Sequence, residues 1–228
     1  NNMSRHLFSI NIPSSWEVVP SRYFQNNILI KEVNIEEGIT NIEPVTFYSC
    51  SSLQSINIPD GLIEIGNEAF SFCKSLKKII LPNSISKIGT RTFSSCESLT
   101  NIYIPNTIIN INNYVFYSCS SLKTINLPDN ITNIGEGAFA SCNSLQFITL
   151  PKNIINIGYQ AFWGCSSLAT ITMPKEITNI GGEAFSICSA LTDVFYEGSK
   201  SNFINNVNIG TKNEQLINAS FHYESNVI

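Results

Sequence analysis

The chain has 228 residues, of which 43% are hydrophobic and only 13% charged, with 13 basic against 17 acidic side chains and a net charge of −4. That length buries a sizeable core in one domain or two small ones, and that hydrophobicity excludes a disordered chain. A mildly acidic, sparsely charged surface lacks the basic footprint of a nucleic-acid binder, and no stretch approaches the roughly 18 consecutive apolar residues of a membrane span.

The opening Asn1-Asn2-Met3 has neither the basic nor the apolar region of a secretory signal, so either a signal has been removed or the sequence is a piece of a longer protein. A first extended segment centres on Ile10 and stops at Pro13, and from there the chain repeats itself. Cysteine falls at Cys50, Cys73, Cys96, Cys119, Cys142, Cys165 and Cys188, each 23 residues after the last. Phe24, Phe47, Phe70, Phe93, Phe116, Phe139, Phe162 and Phe185 keep the same interval, as does leucine from Leu53 to Leu191. A fixed period of this length marks a solenoid and outranks any local assignment.

The unit beginning at Ser121 shows what each part does. Lys123 to Leu127 alternates polar and apolar, the pattern of a half-buried strand. Pro128 ends it because proline gives a ladder no N–H, and Pro13, Pro59, Pro82, Pro105, Pro151 and Pro174 hold the same place. Ile131 to Gly135 reads as a second short extended segment closed by a glycine turn. Ala138, Phe139, Cys142 and Leu145 have the spacing of one face of a short helical turn. No single coil covers its own apolar face, so the strands stack in parallel, roughly 4.7–4.9 Å apart. Strand positions at Ile10, Val33, Ile56, Ile79, Ile102, Ile125, Ile148, Ile171 and Val194 make an array about 40 Å long at that spacing.

Departures gather at the ends. Trp16, Pro20 and Asn27 stand in the first unit where later units carry Ile, a turn residue and Cys, as terminal repeats often diverge. Asn112 replaces the turn glycine of its unit, and Asn tolerates a left-handed turn better than other non-glycine residues. The excess of Asn and Ile fits an AT-rich source as well as any physical requirement.

This unit resembles the BspA-like leucine-rich repeat, L-x-x-I-x-[IL]-P-x-x-[IV]-x-x-I-G-x-x-A-F-x-x-C-x-x, over about residues 10–196. Val194 to Ser199, Asn208 to Gly210, Asn213 to Ala219 and Phe221 to Tyr223 resemble the family's terminal module. The resemblance implies a β-rich solenoid: a right-handed leucine-rich repeat array with a parallel sheet on its concave face, second short extended segments, and short helical turns elsewhere in each coil. It divides one continuous domain into a diverged N-terminal repeat or cap (1–31), the repeats (32–196) and a C-terminal capping module (197–228). It also implies a secreted or cell-surface protein concerned with adhesion or protein binding. A structural spacer in a larger surface protein and an intracellular interaction protein are the alternatives.

The residues give chemistry little to work with. His6 and His222 lie near opposite ends of an elongated array, and seven equivalent cysteines argue for seven packing positions instead of one nucleophile. A 23-residue ladder lacks the close pairs of a zinc site, and Asp60, Glu64, Asp129 and Glu136 are scattered over turns without a calcium loop. No catalytic residue, metal or cofactor is therefore expected. Stacked in register, the cysteines keep their Cβ atoms near the strand spacing, beyond the roughly 3.8 Å a disulfide prefers. The expectation is a column of free, buried thiols. N-x-[ST] triplets at Asn2, Asn130 and Asn218 are glycosylation acceptors only in a eukaryotic secretory pathway, and a chain so rich in Asn supplies them by chance.

Side chains alternate across a strand, so one outward column runs Glu32, Ser55, Lys78, Asn101, Thr124, Phe147, Thr170 and Asp193. The other runs Asn34, Asn57, Ile80, Tyr103, Asn126, Thr149, Thr172 and Phe195. Against this small, polar background Ile80, Tyr103 and Phe147 stand out, with Lys77, Lys78 and Lys123 beside them. Together they form the candidate contact patch for a protein partner, or for a glycan or matrix ligand. The competing reading is that these bulky groups cover neighbouring strands. Phe195 is expected to be covered by the C-terminal module. Tyr48, Phe72, Tyr117 and Trp163 form a second set near the cysteine turns, either folded over the core edge or exposed, with Tyr159 and Trp163 as a small apolar rim.

Overall fold

The computed structural model describes residues 8–224, and over them the chain winds as a parallel β-solenoid. Most coils contribute one strand to each of two faces. On the first face Ser9–Ile12, Glu32–Ile35, Ser55–Asn57 and Lys78–Ile79 pair in parallel, as do Phe147–Thr149, Thr170–Pro174, Asp193–Glu197 and Ser220–Tyr223. On the second face the chain pairs Val18–Val19, Asn41–Ile42, Glu64–Ile65 and Lys87–Ile88, then Asn110–Ile111, Asn133–Ile134, Asn156–Ile157, Asn179–Ile180 and Asn208–Ile209. Partners are offset by 23 residues through the repeats, as Val33 on Ile10 and Ile157 on Ile134 show. The Ile and Leu of both faces, the Phe, Cys and Leu columns and the Ala beside Phe fill the interior.

The rings of Phe24 through Phe185 stack along the axis with centroids 5.1–5.8 Å apart and planes within 16° of parallel. All seven cysteines are free and buried. Each Sγ–H donates to the carbonyl of the Phe 26 residues earlier, at 3.0–3.3 Å. The thiol thus fills space and also gives the Phe carbonyl a second donor, beside the backbone N–H of the residue three positions on. In the first unit Asn27 replaces the thiol, and its Oδ1 accepts from the N–H of Leu29 and Ile30.

The segment carrying Phe and Cys is a run of turns, not a helix. Its N–H groups alternate in direction. Those of Glu68, Phe70 and Phe72 reach the next coil at Thr90, Thr92 and Ser94, while those of Ala69, Ser71 and Cys73 turn back to Gly66, Glu68 and Phe70. The alternation requires a left-handed residue at two places per coil, filled for example by Glu68 and Phe72, Arg91 and Ser95, and Gly137 and Ser141. Such conformations are costly for L side chains and persist where surrounding bonds over-determine them.

The turn glycines have a different reason from the one their sequence position suggests. Gly66, Gly89, Gly135, Gly158 and Gly181 all avoid positive φ. They are required because a Cβ at each would lie within 2.4–2.8 Å of atoms of the preceding coil, mostly its backbone. Asn112, which occupies this column without a left-handed φ, therefore acts as a wedge. In the glycine coils the backbone N–H bonds the coil below, as Gly89 does to Ile65 at 2.8 Å and Gly135 to Ile111 at 2.7 Å. At Asn112 the side-chain Nδ2 makes that bond to Ile88 instead, at 2.7 Å.

Both faces separate at this level. The second face is unpaired between Ile88 and Asn110, and the first ends at Ile79 and resumes at Phe147 with only a Tyr103–Asn126 bridge between. The expected strands at Ile102 and Ile125 are thus replaced by irregular segments, although both side chains stay buried.

Asparagine has a structural task that composition alone does not reveal. Asn11, Asn34 and Asn57 pass side-chain hydrogen bonds along the first face, and Asn133, Asn156, Asn179 and Asn208 do so along the second, at 2.5–3.1 Å. These are amide ladders of the kind that stacked, in-register strands permit. After Glu197 the period lapses into helices Lys200–Asn206 and Glu214–Ile217. Ser199 caps the first of them, accepting from the Asn202 N–H at 3.1 Å.

Candidate interaction surface

Alternation places the three apolar candidates outside: Ile80 is 61% exposed, Tyr103 51% and Phe147 51%. Lys77, Lys78 and Lys123 are exposed beside them, and no ion pair involves any of the three among the described residues. Lys78 heads the last strand before the seam and pairs with Ser55, Tyr103 holds the isolated bridge to Asn126, and Phe147 opens the sheet beyond it, opposite Thr170. The patch consequently spans the stretch where the first face loses its regular ladder. A hollow of about 190 Å³ lies there, bounded by Asn126, Asp129, Phe147 and Thr149.

Phe195 departs from expectation. It is 43% exposed, and what lies on it is a single ring, that of His222, stacked at 4.6 Å and 15°. His222 Nε2 meets Asp193 Oδ1 at 2.7 Å, and Thr192 donates to the same carboxylate, so these bonds hold Asp193 below its ordinary pKa. The repeat arithmetic misses this cluster because the last coil is longer. Ser220–Tyr223 pairs with Asp193–Tyr196 at an offset of 27 residues, not 23. His6 lies outside the described residues.

On the turn side Tyr48 and Phe72 meet edge to face at 5.4 Å, and Tyr117 meets Tyr114 at 6.0 Å. Tyr114 was not among the expected aromatics. Its ring carries the Arg91 guanidinium at 4.3 Å, and its hydroxyl bonds the Glu136 carboxylate, which pushes the phenol up to about 12. Trp163 is half-buried and Tyr159 exposed, with no ring contact between them among the described residues. Asn130 and Asn218 are exposed, and Asn130 donates to the Asn106 carbonyl at 2.6 Å; Asn2 lies outside the described residues.

Burial raises every thiol: Cys50 to about 11, Cys119 and Cys188 to about 12, the rest well above 9. A thiol held neutral is a poor nucleophile and a poor metal ligand. Among the described residues no three His, Cys, Asp or Glu side chains gather to hold a metal. No described helix is long and apolar enough to cross a membrane.

A parallel two-faced solenoid with a 23-residue coil, a phenylalanine stack and an exposed strand face defines a leucine-rich repeat protein. The family profile described as "BspA type Leucine rich repeat region (6 copies)" matches residues 2–123 and 110–227, and the chain belongs to that family. No curated protein matches it. Among solved structures it is similar to a leucine rich repeat protein of T. pallidum, at 27% identity over 81% of this chain and 78% of that one, with a TM-score of 0.61. A leucine-rich repeat protein from Bacteroides ovatus shares the fold, at 23% identity over 98% and 73%, TM-score 0.50. A leucine rich cell surface protein from Faecalibacterium prausnitzii matches at 22% identity over 88% and 90%, TM-score 0.44.

Proposed function

We propose that the chain is a non-catalytic binding module of a secreted or cell-surface protein, engaging a protein partner through the first strand face. The observation that carries this reading is the exposure of Ile80, Tyr103 and Phe147, beside lysines without an ion-pair partner among the described residues, on a face whose other outward positions, Phe195 apart, are polar. Aromatic anchors desolvate readily at a contact, and lysines without local partners steer an acidic surface toward them. Repeat proteins bind along such extended faces, and membership of the family supports a surface setting.

The test is a binding screen against host-surface and matrix proteins, comparing wild type with Tyr103→Ala and Lys78→Glu. Tyr103→Ala is expected to speed dissociation, and Lys78→Glu to slow association and weaken its salt dependence. Equal binding by wild type and both variants to every partner found would remove the patch. Absence of any partner would favour a structural spacer.

A further inference from the structure

A second surface, on the turn side, has the features of a small-molecule site. In the position after each stacked phenylalanine, Tyr48 and Tyr117 stand on either side of two consecutive serines, Ser71 and Ser94. Two consecutive small residues between two tyrosines leave a notch about 10 Å wide at the coil spacing, with a volume of about 470 Å³. Such a volume is that of an ordinary ligand pocket.

Its walls are aromatic and its floor is polar. The Tyr48–Phe72 pair bounds one end, and the Tyr114–Tyr117 pair lines the other, where Gln160 also reaches it; Phe72 and Tyr117 are more than a third exposed. Glu68 and Arg91 line it, and neither has an ion-pair partner among the described residues. Ser94 is 4% exposed and Ser71 1%, and the Ser71 hydroxyl has no hydrogen-bond partner. A buried hydroxyl without a partner is uncommon and unfavourable, and invites a ligand group to complete it.

The chemistry of the notch narrows the ligand. The N–H groups of Phe70, Ser71, Phe72, Phe93, Ser94 and Ser95 are all spent on carbonyls of this or the next coil. An extended peptide therefore finds no backbone edge to pair with, and recognition falls to side chains. Glu68 offsets Arg91, so the notch does not select an anion. Aromatic rings beside hydroxyl, carboxylate and guanidinium groups suit a molecule with one apolar face and an edge of alternating hydroxyl donors and acceptors. We infer that this notch binds a neutral pyranose saccharide, separately from the strand-face patch.

The test uses the full chain, ¹⁵N-labelled, titrated with free neutral hexose and N-acetylhexosamine oligosaccharides and with a uronic-acid oligosaccharide. Saturable shifts of the Ser71, Phe72 and Ser94 amides are expected with a neutral sugar, at millimolar affinity or better. Phe72→Ala should weaken that binding about tenfold or more. Ser71→Ala, which removes the unpartnered hydroxyl, should also weaken it while leaving Tm equal or higher, so that loss of binding is not loss of fold. A glycoprotein bearing the same sugar distinguishes attached from free saccharide, and its binding must vanish on enzymatic deglycosylation. No shift at these amides with any neutral sugar, preference for the acidic one, or glycoprotein binding that survives deglycosylation would overturn the assignment.

Discussion

The cysteine column should make the solenoid unusually sensitive to alkali. An exposed thiol titrates near 9, whereas in the fold burial pushes Cys50 to about 11 and Cys119 and Cys188 to about 12, with the other four also raised. Folded values lie above unfolded ones, so this stabilisation is complete below pH 9 and is lost as pH rises from there toward 12. Between those limits the unfolded chain binds fewer protons than the folded one, and each thiol lowers stability by about 1.4 kcal/mol per pH unit. For Cys50, Cys119 and Cys188 together the loss reaches about 4 kcal/mol at about pH 10, and the other four thiols add to it, a large part of the whole stability of an ordinary domain. Urea unfolding followed by far-UV circular dichroism, from about pH 7 to about pH 10, measures the slope directly. The double variant Cys119→Ala, Cys142→Ala starts from a lower stability at neutral pH but should have a shallower slope. Stability that stays flat to about pH 10, or an unchanged slope in the double variant, would refute the reasoning.

Phe116→Ala, at the centre of the ring stack and fully buried, should cost about 3–5 kcal/mol in the same urea assay. Phe24→Ala, half-buried at the end of the stack, should cost distinctly less. Asn112→Ala leaves the Ile88 carbonyl without its bond and should cost about 1–3 kcal/mol. Asn112→Gly should let the second face close, read as slower amide exchange at Ile111 and residue 112; unchanged exchange would count against the wedge. Gly158→Ala places a Cβ 2.7 Å from the backbone of Gly135 and Glu136, and should lower Tm more than either change at 112. The carboxylates of Glu36, Glu183 and Asp193 are held below their ordinary values, chiefly by the Ser14 N–H, the Lys212 ammonium and the His222 ring respectively. Folded values lie below unfolded ones, so their stabilisation is present above the ordinary carboxylate range and lost as pH falls through the lowered values. Tm should therefore drop on acidification, and Glu36→Gln should flatten that drop.

The coil was legible because its period writes strand, turn and core into fixed columns, and a residue's column settles whether it points in or out. That is why Ile80, Tyr103 and Phe147 could be placed outside, and the thiols inside without disulfides, from spacing alone. Contacts between coils at other offsets were not legible in the same way. The bond from each Cys to the Phe 26 residues earlier, the amide ladders of Asn34 and Asn156, and the crowding above each turn glycine depend on what the neighbouring coil presents, not on the unit itself. The Phe195–His222 stack needed the offset of the lengthened last coil, which no repeat supplies.

Asn112 shows how the two kinds of information meet. Within its own unit it passes as a conservative replacement for a turn glycine, compatible with the same local conformation. Across the stack it stands in a column where an added Cβ on each glycine would meet the preceding coil; at its level the second face loses its strand pairing and its amide takes over the backbone bond, while the turn side stays bonded from Phe93 to Val115 and from Ser95 to Tyr117. The strand-face patch lies over the resulting seam on one side, and on the other the Arg91–Tyr114 contact crosses it at the edge of the serine notch. In a repeat whose regular positions are committed to packing, distinct surfaces arise where neighbouring coils differ: at 112, where a side chain stands in a glycine column, and at 71 and 94, where two consecutive small side chains lie between tyrosines.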